Sequence, residues 1–164
     1  DFATAAWRSR PEQEALAMRE RFMREVMRPA LQERACNLVQ QHQTAGDRVA
    51  IVTATNEFVT RPIADLFGVE TLIAVELERD AQGRATGRAK GVPTFREGKV
   101  IRVEQWLQDL GHGASDFNRI TFYSDSINDL PLLSVVRRPV VVDPDPRLES
   151  AALRKGWKVL RFNR

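Results

Sequence analysis

From residue 46 onward the chain alternates between β-prone and helix-prone segments, and this alternation limits the folds open to it more than any other feature. "RVAIVTAT" (48–55) is dense in Val, Ile and Thr and reads as a buried strand. A helix carrying Ile63, Leu66 and Phe67 follows and stops at Gly68, and "TLIAVELE" (71–78) is a second strand. "RDAQGRATGRAKG" (79–91) has the form of a hairpin, with Gly83 in its turn and Gly87 nearby. The next helix gathers Val100, Val103, Leu107 and Leu110 on one face with Trp106 and ends at "GHG". "RITFYSD" (119–125) is the third strand, Leu130–Leu133 a short helix, and "PVVVD" (139–143) the fourth strand. A last helix runs from Pro146 to Gly156, before a final strand in "KVLRF" (158–162). Strands that alternate with helices predict an α/β fold with a doubly wound, Rossmann-like parallel sheet.

The residues before this alternation read as helix. Met18, Phe22, Met23, Val26 and Met27 recur at helical spacing among charges, a stripe suited to packing on a core or to covering a substrate. Pro29 breaks that line or opens a new helix, whose apolar face is Leu31, Ala35, Leu38 and Val39 and whose stop is Gly46. With 164 residues and 43% hydrophobic content, the chain suits one globular domain with a real core. The balance of 25 basic and 22 acidic residues, net +3, gives no electrostatic footprint for nucleic acid. Cys36 is the only cysteine, which excludes an internal disulfide and fits a reducing cytoplasm. No apolar run approaches the ~18 residues of a membrane span.

In doubly wound sheets, ligands bind at the carboxyl ends of the strands. Thr53 and Thr55 close the first strand and Asp125 closes the third. Lys99 opens the long amphipathic helix, where its charge opposes the helix dipole, and Asn128 and Asp129 lie on the first turn after the third strand. A hydroxyl, an ammonium and a carboxylate at one mouth suit a phosphate and a hard cation. The hydroxyl donates to a phosphoryl oxygen, the lysine neutralises its charge, and the carboxylate offers oxygen to Mg2+. Taken singly, a strand-end Thr is an ordinary β-former, and an Asp or Asn at a helix start is an ordinary cap. Two acids and an asparagine between Asp125 and Asp129 exceed what one cap needs. His42 and His112, in polar surroundings near helix ends, are given no role.

"AIVTATNEF", "REGKV" and "FYSDSINDLPLL", in that order, resemble the second, third and fourth motifs of the haloacid dehalogenase-like hydrolases, closest to the phosphoserine phosphatase-like branch. The resemblance runs from Pro29 to the C-terminus. It implies that Thr53, with Ala54 beside it, binds the transferring phosphoryl group. It implies that Lys99 bridges that phosphate and a nucleophilic carboxylate, and that Asp125 is a Mg2+ ligand. Asp129 would position Lys99 or a metal-bound water, and Asn128 would support the phosphate or Lys99. The implied enzyme is a Mg2+-dependent phosphatase that hydrolyses a small metabolite, of phosphoserine or histidinol phosphate type, through an aspartyl-phosphate.

Two departures shape that expectation. Ala54 and Thr55 stand where typical phosphoserine phosphatases have paired glycines. The family's first motif, an apolar strand ending in D-x-D-x-T that carries the nucleophile, has no counterpart in the right place. "VVVDPDPRL" imitates it with Asp143 and Asp145, but it follows the fourth motif, and Asp145-Pro146 reads as a helix N-cap with proline at the first helical position. The expectation is therefore that residues 1–28 are the end of a helical cap and 29–164 a core whose first strand and nucleophile lie outside this chain. Two other readings fit a missing nucleophile: a non-catalytic domain that binds a phosphorylated ligand, and a receiver-like phospho-acceptor. Lys99 precedes the "RITFYSD" strand, an order that argues against the receiver.

Overall fold

The computed structural model describes residues 12–82 and 85–162, which fall into two compact units that meet in sequence between Thr94 and Phe95. The first unit opens with helix α1 (Glu12–Phe22), a π-helical turn (Met23–Met27) and the short α2 (Arg28–Ala30). Pro29 therefore does not break the helical line. The Arg28 N–H already reaches back to the Met23 carbonyl, and the ladder is offset where proline has no N–H to give. The break falls at Leu31, whose extended backbone (φ −67°, ψ 116°) separates α2 from α3 (Glu33–Thr44). Of the predicted stripe, Met23 is buried, while Met18 and Val26 are 37% and 50% exposed, so the stripe is only in part a packing face.

Strand β1 (Ala50–Asn56), helix α4 (Glu57–Leu66) and strand β2 (Thr71–Arg79) form a crossover unit with β1 parallel to β2. Strand β3 (Ala85–Lys90) returns antiparallel to β2, so the expected hairpin is present, though Gly83 lies outside the described residues. Ala64, Val69, Ile73 and Ala74 are buried in this unit. Pro62 sits inside α4 and leaves the Phe58 carbonyl without its helical donor. Arg19 of α1 supplies one, donating from Nη1 at 3.2 Å while its guanidinium stacks 4.6 Å from the Phe58 ring centroid.

The second unit runs from helix α5 (Glu97–Asp109) to strand β4 (Thr121–Ser124), and through a 3-10 turn (Ile127–Asp129) to α6 (Leu130–Val135). Strand β5 (Arg138–Val142), helix α7 (Pro146–Lys155) and strand β6 (Lys158–Leu160) complete it. Strands β4, β5 and β6 lie side by side and parallel, with Ser124 opposite Val141. Leu133, Val141, Leu148 and Ala152 form the centre of the core, with Phe122, Ile127, Trp157 and Val159 packed on it. On α5, Leu107 is buried, but Leu110 falls one residue past the helix and is 37% exposed, unlike the shared face predicted for it.

The fold is of the α/β class, with parallel strands joined through crossover helices. The backbone ladder is in two parts, β1-β2-β3 and β4-β5-β6, so β1 and β4 belong to different three-stranded sheets.

The acids of "VVVDPDPRL" are both committed to backbone. Asp143, at φ +41°, accepts the Phe162 N–H. Asp145 caps α7 by accepting from Arg147 and Leu148 at 2.9 Å, and its other oxygen accepts the Ile127 N–H at 2.7 Å. The Leu148 N–H above all holds this carboxyl below the usual carboxylate range; burial opposes the shift, and the Ile127 and Arg147 N–H groups add to it. A depressed folded-state value means stability that is present above the unfolded value of ~3.9 and lost as pH falls through the folded one. Asp145→Ala is thus expected to lower stability by about 1–2 kcal/mol at neutral pH. In urea unfolding, the gap between wild type and variant should narrow below about pH 4.

Candidate active site

The second unit assembles a buried polar cluster around the end of β4. Helix α5 is launched by Arg96, whose φ of +49° is rare for a side-chain-bearing residue. The Gly98 N–H donates to the Phe95 carbonyl, and the Lys99 N–H to that of Arg96. Lys99 therefore sits in the first turn of α5, yet it is 6% exposed. The Lys99 Nζ lies 2.6 Å from Asp129 Oδ1, and the two side chains are 8% and 10% exposed. The other Asp129 oxygen accepts a 2.7 Å hydrogen bond from the Ser124 hydroxyl. The Phe122 ring lies 6.0 Å from the ammonium.

The turn that carries Asp129 is held locally. Ser124 Oγ accepts the Ser126 N–H at 3.1 Å, and Ser126 Oγ caps the 3-10 turn by accepting the Asn128 N–H at 3.3 Å. Asn128 is half-buried. Asp125 differs from Asp129 in every respect. It is exposed, and no hydrogen bond or ion pair engages its carboxylate among the described residues, although its backbone carbonyl accepts the Asp145 N–H at 2.8 Å. An available carboxylate at a strand mouth is the right donor type for Mg2+. Among the described residues no three His, Cys, Asp or Glu side chains group as a metal site.

Thr53 and Ala54 belong to the first unit, at an irregular end of β1. Pairing steps from Val52↔Ile73 to Asn56↔Val75, so Thr53, Ala54 and Thr55 oppose the single residue Ala74. Thr53 Oγ1 accepts the Thr55 N–H at 3.1 Å. Asn56 caps α4 by accepting the Val59 N–H at 3.2 Å, and its buried Nδ2 has no hydrogen-bond partner among the described residues. The structure thus brings Lys99 to Asp129, sets Asp125 and Asn128 on the same turn, and places Thr53 and Ala54 at a strand end of the other unit. Sequence reasoning missed Ser124, which looks like any hydroxyl in a strand. Elsewhere in the first unit, a cavity of about 550 Å3 touches Arg19, Met23 and Leu66 but none of these residues.

Residues 1–134 match the family described as haloacid dehalogenase-like hydrolase. A histidinol-phosphatase of Neisseria meningitidis is 42% identical over 92% of this chain and 68% of its own length. A phosphoserine phosphatase of Mycobacterium tuberculosis is 32% identical over 91% of this chain, which spans only 47% of that relative. A crystal structure of a protein of unknown function from Bordetella pertussis superposes with a TM-score of 0.90 at 50% identity, covering 93% of this chain and 68% of that one.

The Lys99–Asp129 pair also sets a stability test. Removing one member of a buried ion pair leaves the other charge uncompensated, at a cost of about 3–5 kcal/mol. Lys99→Met should show that loss in urea unfolding. Adding Asp129→Asn should recover most of it, because a neutral amide needs no counter-charge and still accepts from Ser124.

Proposed function

The chain belongs to the haloacid dehalogenase-like hydrolases, in their phosphoserine phosphatase-like branch, and on that premise we propose that it is the core of a Mg2+-dependent phosphatase acting on a small phosphorylated metabolite. The observation that carries this reading is the buried Lys99–Asp129 pair beside the unengaged Asp125 carboxylate. A buried ammonium held by a carboxylate keeps its place, ready to meet a phosphate without reorganising. Thr53 donates its hydroxyl proton to the phosphoryl group, with Ala54 beside it. Asn128 supports the phosphate from the turn that also bears Asp125. Mg2+, when bound through Asp125, supplies Lewis-acid neutralisation of charge on the phosphoryl oxygens.

The attacking carboxylate of this reading is an Asp outside these 164 residues. Both acids of the imitation motif accept backbone N–H groups and follow the fourth motif in the chain, so this reading takes neither as the nucleophile. Residues 1–28 are read as the end of a helical cap that closes over the substrate, and residues 1–11 of it lie outside the described residues. A histidinol phosphate-like substrate is preferred to phosphoserine. The Neisseria relative bears a histidinol-phosphatase name, and Ala54 and Thr55 replace the paired glycines. Among the described residues no helix is long and apolar enough to cross a membrane. The lone cysteine suits a cytoplasmic setting, and the mild net charge gives no reason to expect nucleic acid.

In the full-length protein, Asp125→Asn is expected to abolish Mg2+-dependent phosphate release from histidinol phosphate, phosphoserine and a generic aryl phosphate, with the fold unchanged by circular dichroism. Undiminished release would remove Asp125 from the metal site, and a wild type that binds these esters without cleaving them would select a non-catalytic domain. Lys99→Ala is expected to lower kcat more than it raises KM, since charge is neutralised chiefly in the transition state. Lys99→Arg should rescue poorly, because a planar guanidinium does not fit a site built for a compact ammonium. Steady-state kinetics of the folded variants decides this, and near-normal turnover with arginine would make Lys99 a mere structural charge.

A further inference from the structure

We propose that Ser124 is a positioning residue that commits Asp129 to Lys99 and leaves Asp125 alone to face the metal; the inference rests on the phosphatase reading above. Ser124 is the last residue of β4 and is 8% exposed. Its place is fixed from below by pairing with Val141, a fully buried residue of the core. A serine hydroxyl has one hydrogen to give and two lone pairs. The Ser126 N–H occupies a lone pair at 3.1 Å, so the hydroxyl proton turns to the remaining short contact, Asp129 Oδ2 at 2.7 Å. The other Asp129 oxygen is held by Lys99 at 2.6 Å.

Both oxygens of Asp129 are thereby engaged by directed donors, one of them charged. Direct metal ligation by Asp129 would have to compete with the ammonium and the hydroxyl for its oxygens inside a nearly solvent-free pocket. Asp125, the next residue after Ser124, keeps an exposed carboxylate with no such partner among the described residues. The two acids of the turn therefore have separate duties, and the hydroxyl just before them in sequence makes the division. Alanine at 124 would leave Asp129 Oδ2 without its donor and free the carboxylate to rotate away from Lys99.

The test uses the full-length protein with Ser124→Ala and Ser124→Thr, and Ser124→Cys as a weak donor of similar volume should the alanine variant not fold. Loss of an outer partner of this kind typically costs about 10–100-fold in activity, so Ser124→Ala should lower kcat by at least ten-fold with KM for an aryl phosphate little changed. Mg2+ affinity, measured by calorimetry on the resting protein, should stay within about two-fold of wild type, because Asp125 is untouched; threonine, which keeps the hydroxyl, should restore kcat. Independently of turnover, the slowly exchanging side-chain ammonium signal of Lys99 in 15N-labelled protein, assigned by its loss in Lys99→Met, should broaden in Ser124→Ala and return in Ser124→Thr. Unchanged kcat with an unchanged ammonium signal in the alanine variant would overturn the proposal. So would a parallel change in Mg2+ affinity, which would place Ser124 in the service of the metal. If the wild type cleaves no phosphate monoester, the phosphatase reading falls, and the ammonium signal still decides whether Ser124 fixes the Lys99–Asp129 pair.

Discussion

The Lys99–Asp129 contact is the interaction on which the second unit's polar end depends. Two charges held at 2.6 Å with side chains nearly excluded from water carry a desolvation penalty of several kcal/mol each, offset only if geometry is good and the remaining lone pairs are satisfied. Three local features meet that condition. The turn from Phe95 to Gly98, with Arg96 at positive φ, starts α5 so that Lys99 falls in its first turn. The short β4 stops at Ser124, so its hydroxyl reaches Asp129. The 3-10 turn capped by Ser126 then places Asp129 at the head of α6. A lysine at a helix N-terminus would otherwise be mildly unfavourable against the dipole, and the buried carboxylate reverses that balance.

Asp145 performs the complementary task for the backbone. It closes the N-terminus of α7 with one oxygen and ties that helix to the 3-10 turn with the other, through the Ile127 N–H. Its own N–H returns to the Asp125 carbonyl at 2.8 Å. The residue that offers its carboxylate to solvent is therefore pinned by its backbone. That combination, a fixed main chain under an unengaged side chain, is what a metal ligand requires before the metal arrives.

How much of this the sequence discloses varies with the range of the forces involved. The helix from Pro146 to Gly156 is legible because its start and stop are local: an N-cap acid, a proline at the first position and a glycine at φ +66°. The strands are legible from their Val, Ile and Thr content, and the polar turn from the density of acids in so few residues. Ser124 is not legible, because its importance comes from Asp129, which reaches it only after the chain turns. The bulge at Thr53–Thr55 is hidden for a similar reason, since it exists only relative to β2. Pro29 misleads because the rule for proline assumes a regular ladder, and here a π turn precedes it. The exposed Met18 and Val26 show that apolar periodicity alone does not establish what a helix packs against.

One device appears at both strand ends that carry candidate chemistry. At Ser124 the hydroxyl accepts the N–H of the residue two places on, and the same holds at Thr53, whose Oγ1 accepts the Thr55 N–H. In each case the backbone donor takes a lone pair and so restricts where the hydroxyl can send its single proton. At Ser124 that proton goes to Asp129 and serves the fixed charge pair. At Thr53 it meets no acceptor among the contacts of the described residues, at a place where the strand has left its regular register. On the proposed phosphatase reading, a hydroxyl oriented by its own backbone and still holding its proton would donate to an incoming phosphoryl oxygen without first losing another partner. Paired glycines would bring backbone close to the phosphate at such a turn; Thr53, Ala54 and Thr55 instead keep side chains there, and the local N–H to hydroxyl bond gives the turn its shape.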